Sequence, residues 1–262
     1  MIDWGPSGFL TAGGKRLEYA CFGPAPDVAP TIILLHEGLG CTALWRGFPQ
    51  RLSIETNIGV FAYSRAGYGQ SDPVELPRPI DYMTREAVDV LPEVLDAVGA
   101  GSVCLLGHSD GATISAIYAG TVSDSRVIGL ILIAPHFFTE PEGLAEIAQA
   151  KKAYETTDLR QKMGKYHSDP DNAFYGWNGA WLGPMAGQWD VAEVIDNISV
   201  PILAIQGEDD QYGTLAQIDE LTCRAGNLVQ VEILPDTRHA PHLESPERTL
   251  NAVVRFVGKA EM

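Results

Sequence analysis

The sequence predicts an α/β fold: a mostly parallel sheet of eight strands, covered by helices on both faces. Two observations lead to it. Continuous apolar runs such as Ile32-Ile33-Leu34-Leu35 and Leu130-Ile131-Leu132-Ile133 have the composition of strands buried on both sides. These runs alternate with helix-like segments, which is the order produced when parallel strands are joined by crossover helices.

Taken in order, Phe9–Ala12 and Arg16–Phe22 flank Gly13-Gly14 and read as an N-terminal hairpin. Strands are then expected at Thr31–His36, Gly59–Tyr63, Ser102–Gly107, Val127–Ala134, Pro201–Gln206 and Leu228–Leu234. Helices are expected at about Met83–Val98, Asp110–Val122, Leu215–Arg224 and Pro246–Val257. One interval breaks the rhythm. The stretch between Ala134 and Pro201 is far longer than a crossover needs. It holds helix-like pieces at Gly143–Tyr154, Leu159–Tyr166 and Asn172–Leu182, and it carries Trp177, Trp181 and Trp189. This predicts a core of residues 1–136 and 191–262, with residues 137–190 inserted as a helical cap over the open edge of the sheet. Long insertions into compact folds tend to carry function.

The 262 residues suit one large domain, and the balance of 45% hydrophobic to 20% charged residues is that of a globular chain. A net charge of −16 argues against nucleic-acid and anionic-membrane partners, which require a basic face. No apolar run reaches the roughly 18–20 residues that cross a bilayer, and Met1-Ile2-Asp3-Trp4-Gly5 does not have the form of a secretory signal. A cytoplasmic location is expected. Cys21, Cys41, Cys104 and Cys223 are scattered without a CxxC pair, as reduced thiols are. No metal and no cofactor are expected. The expected partner is a small-molecule substrate, and a homodimer is left open.

The segment richest in chemical meaning is Gly107-His108-Ser109-Asp110-Gly111. Strand-like Val103–Leu106 precedes it, and the helix-like run Ala112–Ala119 follows. Gly-x-Ser-x-Gly on a strand-to-helix turn is a nucleophile elbow. The turn is tight enough that a side chain at either glycine would strike neighbouring backbone. The serine oxygen then stands at the sheet edge, beside N–H groups that favour negative charge. A serine hydroxyl needs a base, and the base needs an orienting group. Carboxylates follow a late strand in Gly207-Glu208-Asp209-Asp210, and two histidines follow the last strand in His239-Ala240-Pro241-His242.

With these motifs the chain resembles the α/β-hydrolase superfamily along essentially its whole length. The other matching segments are Leu35-His36-Glu37-Gly38, Tyr63-Ser64-Arg65-Ala66-Gly67-Tyr68-Gly69-Gln70-Ser71, Gly207-x-x-Asp210 and the stretch from His239 to Pro246. The resemblance implies an α/β-hydrolase fold with Ser109 as nucleophile, Asp210 as acid and His239 as base. Its Gly-x-x-Asp spacing selects Asp210 over Asp209. It makes His239 the base and leaves His242 to packing. It also implies an oxyanion hole from the backbone N–H of Asp110 and that of Gly38, with Leu39 the nearby alternative. Leu39, Phe137, Trp177 and Trp181 are the expected substrate-binding side chains. His36 is expected to shape the loop after its strand, and His108 to be packed in the elbow.

Three positions depart from the common spelling: Glu37 in the oxyanion loop, Asp110 after the nucleophile and Arg238 before the base. The expected activity is a serine hydrolase cleaving a small, largely apolar carboxylic ester. The alternatives are lactone or thioester hydrolysis and cleavage of C–C bonds in ring-cleavage products. The last acts on anions and would need a cap cation in the pocket, for which Arg160, Lys162 and Lys165 are the candidates. A ligand-binding receptor on the same fold is the non-enzymatic alternative.

Overall fold

The computed structural model describes residues 2–28 and 30–259. Its eight strands form one sheet in the order β1-β2-β4-β3-β5-β6-β7-β8. The hairpin β1 (Ser7–Ala12) and β2 (Lys15–Phe22) is antiparallel. Strand β2 also meets β4 antiparallel. The remaining strands, β3 (Thr31–Leu35), β4 (Gly59–Tyr63), β5 (Val103–His108), β6 (Val127–Ile133), β7 (Ile202–Gly207) and β8 (Val229–Leu234), run parallel.

The two-residue period of a strand divides the core in two. Ile32, Leu34, Val60, Leu106 and Ile131 face a layer built from α1 (Phe48–Thr56) and from the last helix, Pro246–Lys259, through Phe48, Leu52, Leu250 and Phe256. Ile33, Leu35, Phe61, Leu105 and Leu132 face the opposite layer. That layer contains α2 (Tyr82–Arg85), a π-helical turn at Glu86–Val90, α3 (Leu91–Val98) and α4 (Asp110–Thr121). Burying each such leucine or isoleucine contributes about 1.5–3 kcal/mol, so both layers hold the sheet firmly. Helix α1 is an addition to the sequence expectation. Of its nine residues only Phe48, Pro49, Leu52 and Ser53 are buried, too few to give a clear apolar stripe.

Between β6 and β7 stand α5 (Pro141–Thr156), α6 (Leu159–Met163) and α7 (Pro170–Trp181). After β7 come α8 (Ala216–Ala225), α9 (Pro241–Glu244) and α10 (Pro246–Lys259). Among the described residues no helix is long and apolar enough to cross a membrane.

Register positions the site. Leu35 pairs with Gly107, Gly107 with Leu132, and Ile133 with Ile205. The carboxyl ends of β3, β5, β6 and β7 therefore lie level. The loops that follow them, carrying Gly38, Ser109, His136 and Asp210, open on one edge, as does the loop after β8 carrying His239.

Candidate active site

Ser109 links β5 to α4 with φ +53° and ψ −118°, a conformation that costs a non-glycine residue about 1–3 kcal/mol. The surroundings enforce it. Ser109 N–H donates to Ile133 O at 2.8 Å, and Ser109 O accepts from Ala112 N at 2.9 Å. A Cβ at Gly107 would fall on the Gly111 carbonyl, and one at Gly111 on the Leu35 carbonyl. Backbone, not a flexible side chain, is what each would strike. Gly111→Ala is therefore expected to lower stability by about 3 kcal/mol or more. Thermal denaturation checks this: a midpoint within a degree of wild type would contradict the tight packing of α4 on β3.

Asp210 and His239 meet as an oriented pair. His239 Nδ1 lies 2.9 and 2.8 Å from the two Asp210 oxygens. Asp210 also accepts from Tyr212 N at 2.8 Å and Gln206 Nε2 at 2.8 Å. Burial by itself pushes the Asp210 carboxyl upward. The hydrogen bond and charge of His239, with the Tyr212 N–H, outweigh it and hold the group below the usual carboxylate range. A carboxylate only accepts, so Nδ1 carries the hydrogen and Nε2 is left with its lone pair. Asp209 is exposed, and its backbone N–H donates to Thr237 O at 2.9 Å.

Ser109 and His239 line one cavity of about 110 Å³. Among the described residues no hydrogen bond joins the Ser109 hydroxyl to His239. In unliganded sites such a bond is often long and tightens when substrate binds. Gly38, Leu39, Asp110, Trp177 and Trp181 line the same cavity. Among the described residues no acceptor engages the N–H groups of Gly38, Leu39 and Asp110. Gly38 is needed because Trp177 presses on it: a Cβ there would fall on the indole nitrogen.

Phe137 departs from its expected role. It is fully buried and does not line the cavity; its neighbour Phe138 does. Side chains on an extended segment alternate sides, and Phe137 N donates inward to Gln217 Oε1 at 2.7 Å. Arg160 and Lys162 are exposed and paired with Asp171 and Asp158. Lys165 is exposed too, and among the described residues no lysine or arginine lines the cavity.

The loop bearing Gly38 is held from below and above. Arg65 is wholly buried; it donates to His36 O and, at 3.1 Å, to Glu37 O, and it stands 3.7 Å from Asp110 Oδ2. The charge of Asp110, one of the unusual positions, is thus offset, and its carboxylate also accepts from Tyr82 OH, which accepts from Trp181 Nε1 at 3.0 Å. One guanidinium therefore ties together the two segments that carry Gly38 and Asp110. From above, His167 Nδ1 accepts from Gly69 N at 3.0 Å, and its Nε2–H donates to Leu39 O at 3.1 Å. Burial lowers its pKa, which suits this neutral tautomer.

Glu37 also faces the cavity, with Oε2 3.5 Å from His108 Nδ1, while His108 Nε2 donates to His239 O at 2.7 Å. His36 Nε2 accepts from Arg65 N at 3.0 Å, and His242 packs against Trp45 with ring centroids 4.9 Å apart. Arg238 is exposed and does not line the cavity. Sequence reasoning passed over His136, Tyr212 and His167. The first two stand just past the ends of β6 and β7, at the edge where catalytic groups collect, and that position was the available signal.

A strained serine at the end of β5, in a sheet of this strand order, marks the alpha/beta hydrolases. Residues 32–252 match the alpha/beta hydrolase family, and the chain belongs to it. A bifunctional esterase/perhydrolase of Acinetobacter calcoaceticus is 26% identical over 237 residues, covering 77% of this chain and 81% of the relative. The enol-lactonase from Burkholderia xenovorans LB400 aligns with a TM-score of 0.74 at 21% identity, over 96% of this chain and 100% of that one. The meta-cleavage product hydrolase from Pseudomonas fluorescens IP01 aligns with a TM-score of 0.78 at 20% identity, over 97% and 98% of the two chains. At these identities the structural likeness is one of fold.

Proposed function

We propose that the chain is a serine hydrolase that cleaves small, uncharged, largely apolar carboxylic esters. The observation that carries this reading is the shared cavity. Ser109, the His239 imidazole oriented by Asp210, and the unengaged N–H groups of Gly38 and Asp110 all border it. In this reading Ser109 Oγ attacks the ester carbonyl carbon while His239 Nε2 takes its proton. The oxyanion that forms is held by the two N–H groups, each worth about 3–4 kcal/mol to the transition state. His239 then protonates the departing alkoxide, leaving an acyl-Ser109 ester. A water deprotonated by His239 attacks that ester and releases the acid. Asp210 stays ionised and stabilises the imidazolium.

The walls supply the substrate class. Leu39, Phe138, Leu144, Ile147, Trp177 and Trp181 make the cavity apolar, and Glu37 adds a carboxylate whose Oε2 faces His108 Nδ1 at 3.5 Å. An anionic substrate would lose its hydration and gain no partner. This weighs against the C–C bond hydrolase reading, whose substrates are anionic. The C–C hydrolase among the solved structures shares the fold alone. The test compares ethyl butanoate with its acyl-chain carboxylate analogue, monoethyl succinate. The neutral ester is expected to have a kcat/KM at least about tenfold higher, the size of one uncompensated buried charge interaction. Equal or reversed rates would overturn the assignment of a neutral substrate.

A further inference from the structure

The chain has six histidines, of which His36, His108, His167 and His242 do not line the cavity, although His108 Nδ1 and His242 Nδ1 are buried without a hydrogen-bond partner. His36, His108, His167 and His239 engage ring nitrogens with protein groups, and His242 packs against Trp45 and Phe48. The sixth, His136, differs. It is 8% exposed and lines the cavity, and among the described residues no hydrogen bond reaches its imidazole. Its backbone is nonetheless anchored twice. Thr113 Oγ1 accepts from His136 N at 3.2 Å and donates to His136 O at 2.6 Å. Thr113 is one helical turn beyond Ser109, so His136 is fixed relative to the nucleophile. Gly213 makes room for the ring: a Cβ there would stand 2.8 Å from His136 Cε1. The ring lies between His239 and Trp181, with centroid separations of 5.6 and 6.2 Å.

A buried polar side chain that faces a cavity without a partner awaits one from the ligand, because leaving it unpaired in the complex costs about 1–3 kcal/mol. Burial, helped by the neighbouring His239, lowers its pKa to about 3. His136 is therefore uncharged at neutral pH and presents one donor and one acceptor. A hydroxyl suits whichever ring nitrogen it meets, accepting from the N–H or donating to the bare nitrogen, and brings no charge into the apolar cavity. The position of His136 beside His239 sets the side of the substrate. His239 must protonate the departing oxygen, so a group reaching His136 belongs to the alcohol half of the ester.

We propose that His136 is a specificity-determining residue that hydrogen-bonds a hydroxyl on the alcohol portion of the substrate, so that esters of small polyols are preferred over esters of simple alcohols. This rests on the serine hydrolase reading above and narrows its substrate class.

The test uses isosteric esters, 2-hydroxyethyl butanoate and propyl butanoate, on wild type, His136→Leu and His136→Asn. Wild type is expected to favour the hydroxylated ester in kcat/KM by about tenfold, the cost of a buried hydrogen bond left unmade. In His136→Leu the ratio is expected to fall below about twofold. His136→Asn, which keeps a donor and an acceptor, is expected to hold an intermediate ratio. A merely structural role would lower both rates and leave the ratio unchanged, and that result would overturn the proposal. So would a wild-type ratio near one, or a preference that appears only when the hydroxyl is moved to the acyl chain. A fluorophosphonate probe on wild type separates the two levels. Labelling without hydroxyl preference overturns only the role of His136. Absence of both labelling and turnover overturns the hydrolase reading with it.

Discussion

Ser109→Ala is expected to lower kcat for ester hydrolysis by about 10⁴–10⁶-fold, the range lost when a catalytic serine is removed from a triad. Fold and stability are expected to survive. Among the described residues the Ser109 hydroxyl makes no hydrogen bond, and the bonds that hold its backbone involve N and O of the main chain. The melting temperature should stay within about 3 °C of wild type, as for substitutions that break no packing or polar partner. The size of the loss is what makes the measurement decisive. A variant that keeps a tenth of wild-type activity would mean that another group attacks. The loss should also be non-additive: Ser109→Ala combined with His239→Ala should be no slower than either alone, because the two act as a unit.

Asp210→Asn should cost about 10⁴-fold in kcat. The arithmetic follows from hydrogen bonding. The Asp210 carboxylate accepts from His239, Tyr212 N and Gln206 Nε2 at once. An amide has one oxygen to share among three donors and turns an NH₂ toward at least one of them. Facing His239, that NH₂ favours the tautomer with hydrogen on Nε2, which cannot take the serine proton. Asp209→Asn should change kcat less than about twofold, since Asp209 is exposed and engages only its backbone N–H. Kinetics of the two variants on one ester decide between the adjacent carboxylates. Loss of turnover in Asp209→Asn alone would reverse the assignment.

The strands were the most legible part of the chain. Runs such as Ile32–Leu35 are buried on both faces, so their composition alone marks them, and the expected bounds of β3 to β8 differ from those observed by a residue or so. Helix α1 was not legible because half its surface is solvated and its apolar positions are few. Its presence follows instead from topology: β3 and β4 are parallel neighbours and need a crossover between them. Pro49 in its first turn was the remaining local clue.

The site divides in the same way. Ser109, Asp210 and His239 stand in motifs with fixed spacing, so the sequence singles them out; the structure pairs His239 with Asp210 and sets Ser109 and His239 on one cavity. The choice between Phe137 and Phe138 turns on which way one side chain points, and composition does not encode that. Arg65 fell inside a recognised motif, yet its bridge from the His36–Glu37 carbonyls to Asp110 joins three strand ends and emerges only in three dimensions. His167 was hidden for a similar reason. It lies between α6 and α7, and both of its partners, Gly69 and Leu39, are about a hundred residues or more earlier in the chain.

The most direct test is to treat the wild-type protein with a fluorophosphonate and locate the adduct by mass spectrometry of the digested protein. A single phosphonyl group on the Ser109 peptide, greatly slowed in His239→Ala, is the predicted result. Modification at any other residue, or an unmodified Ser109 in folded protein, would contradict the assignment of Ser109 as a nucleophile activated by His239.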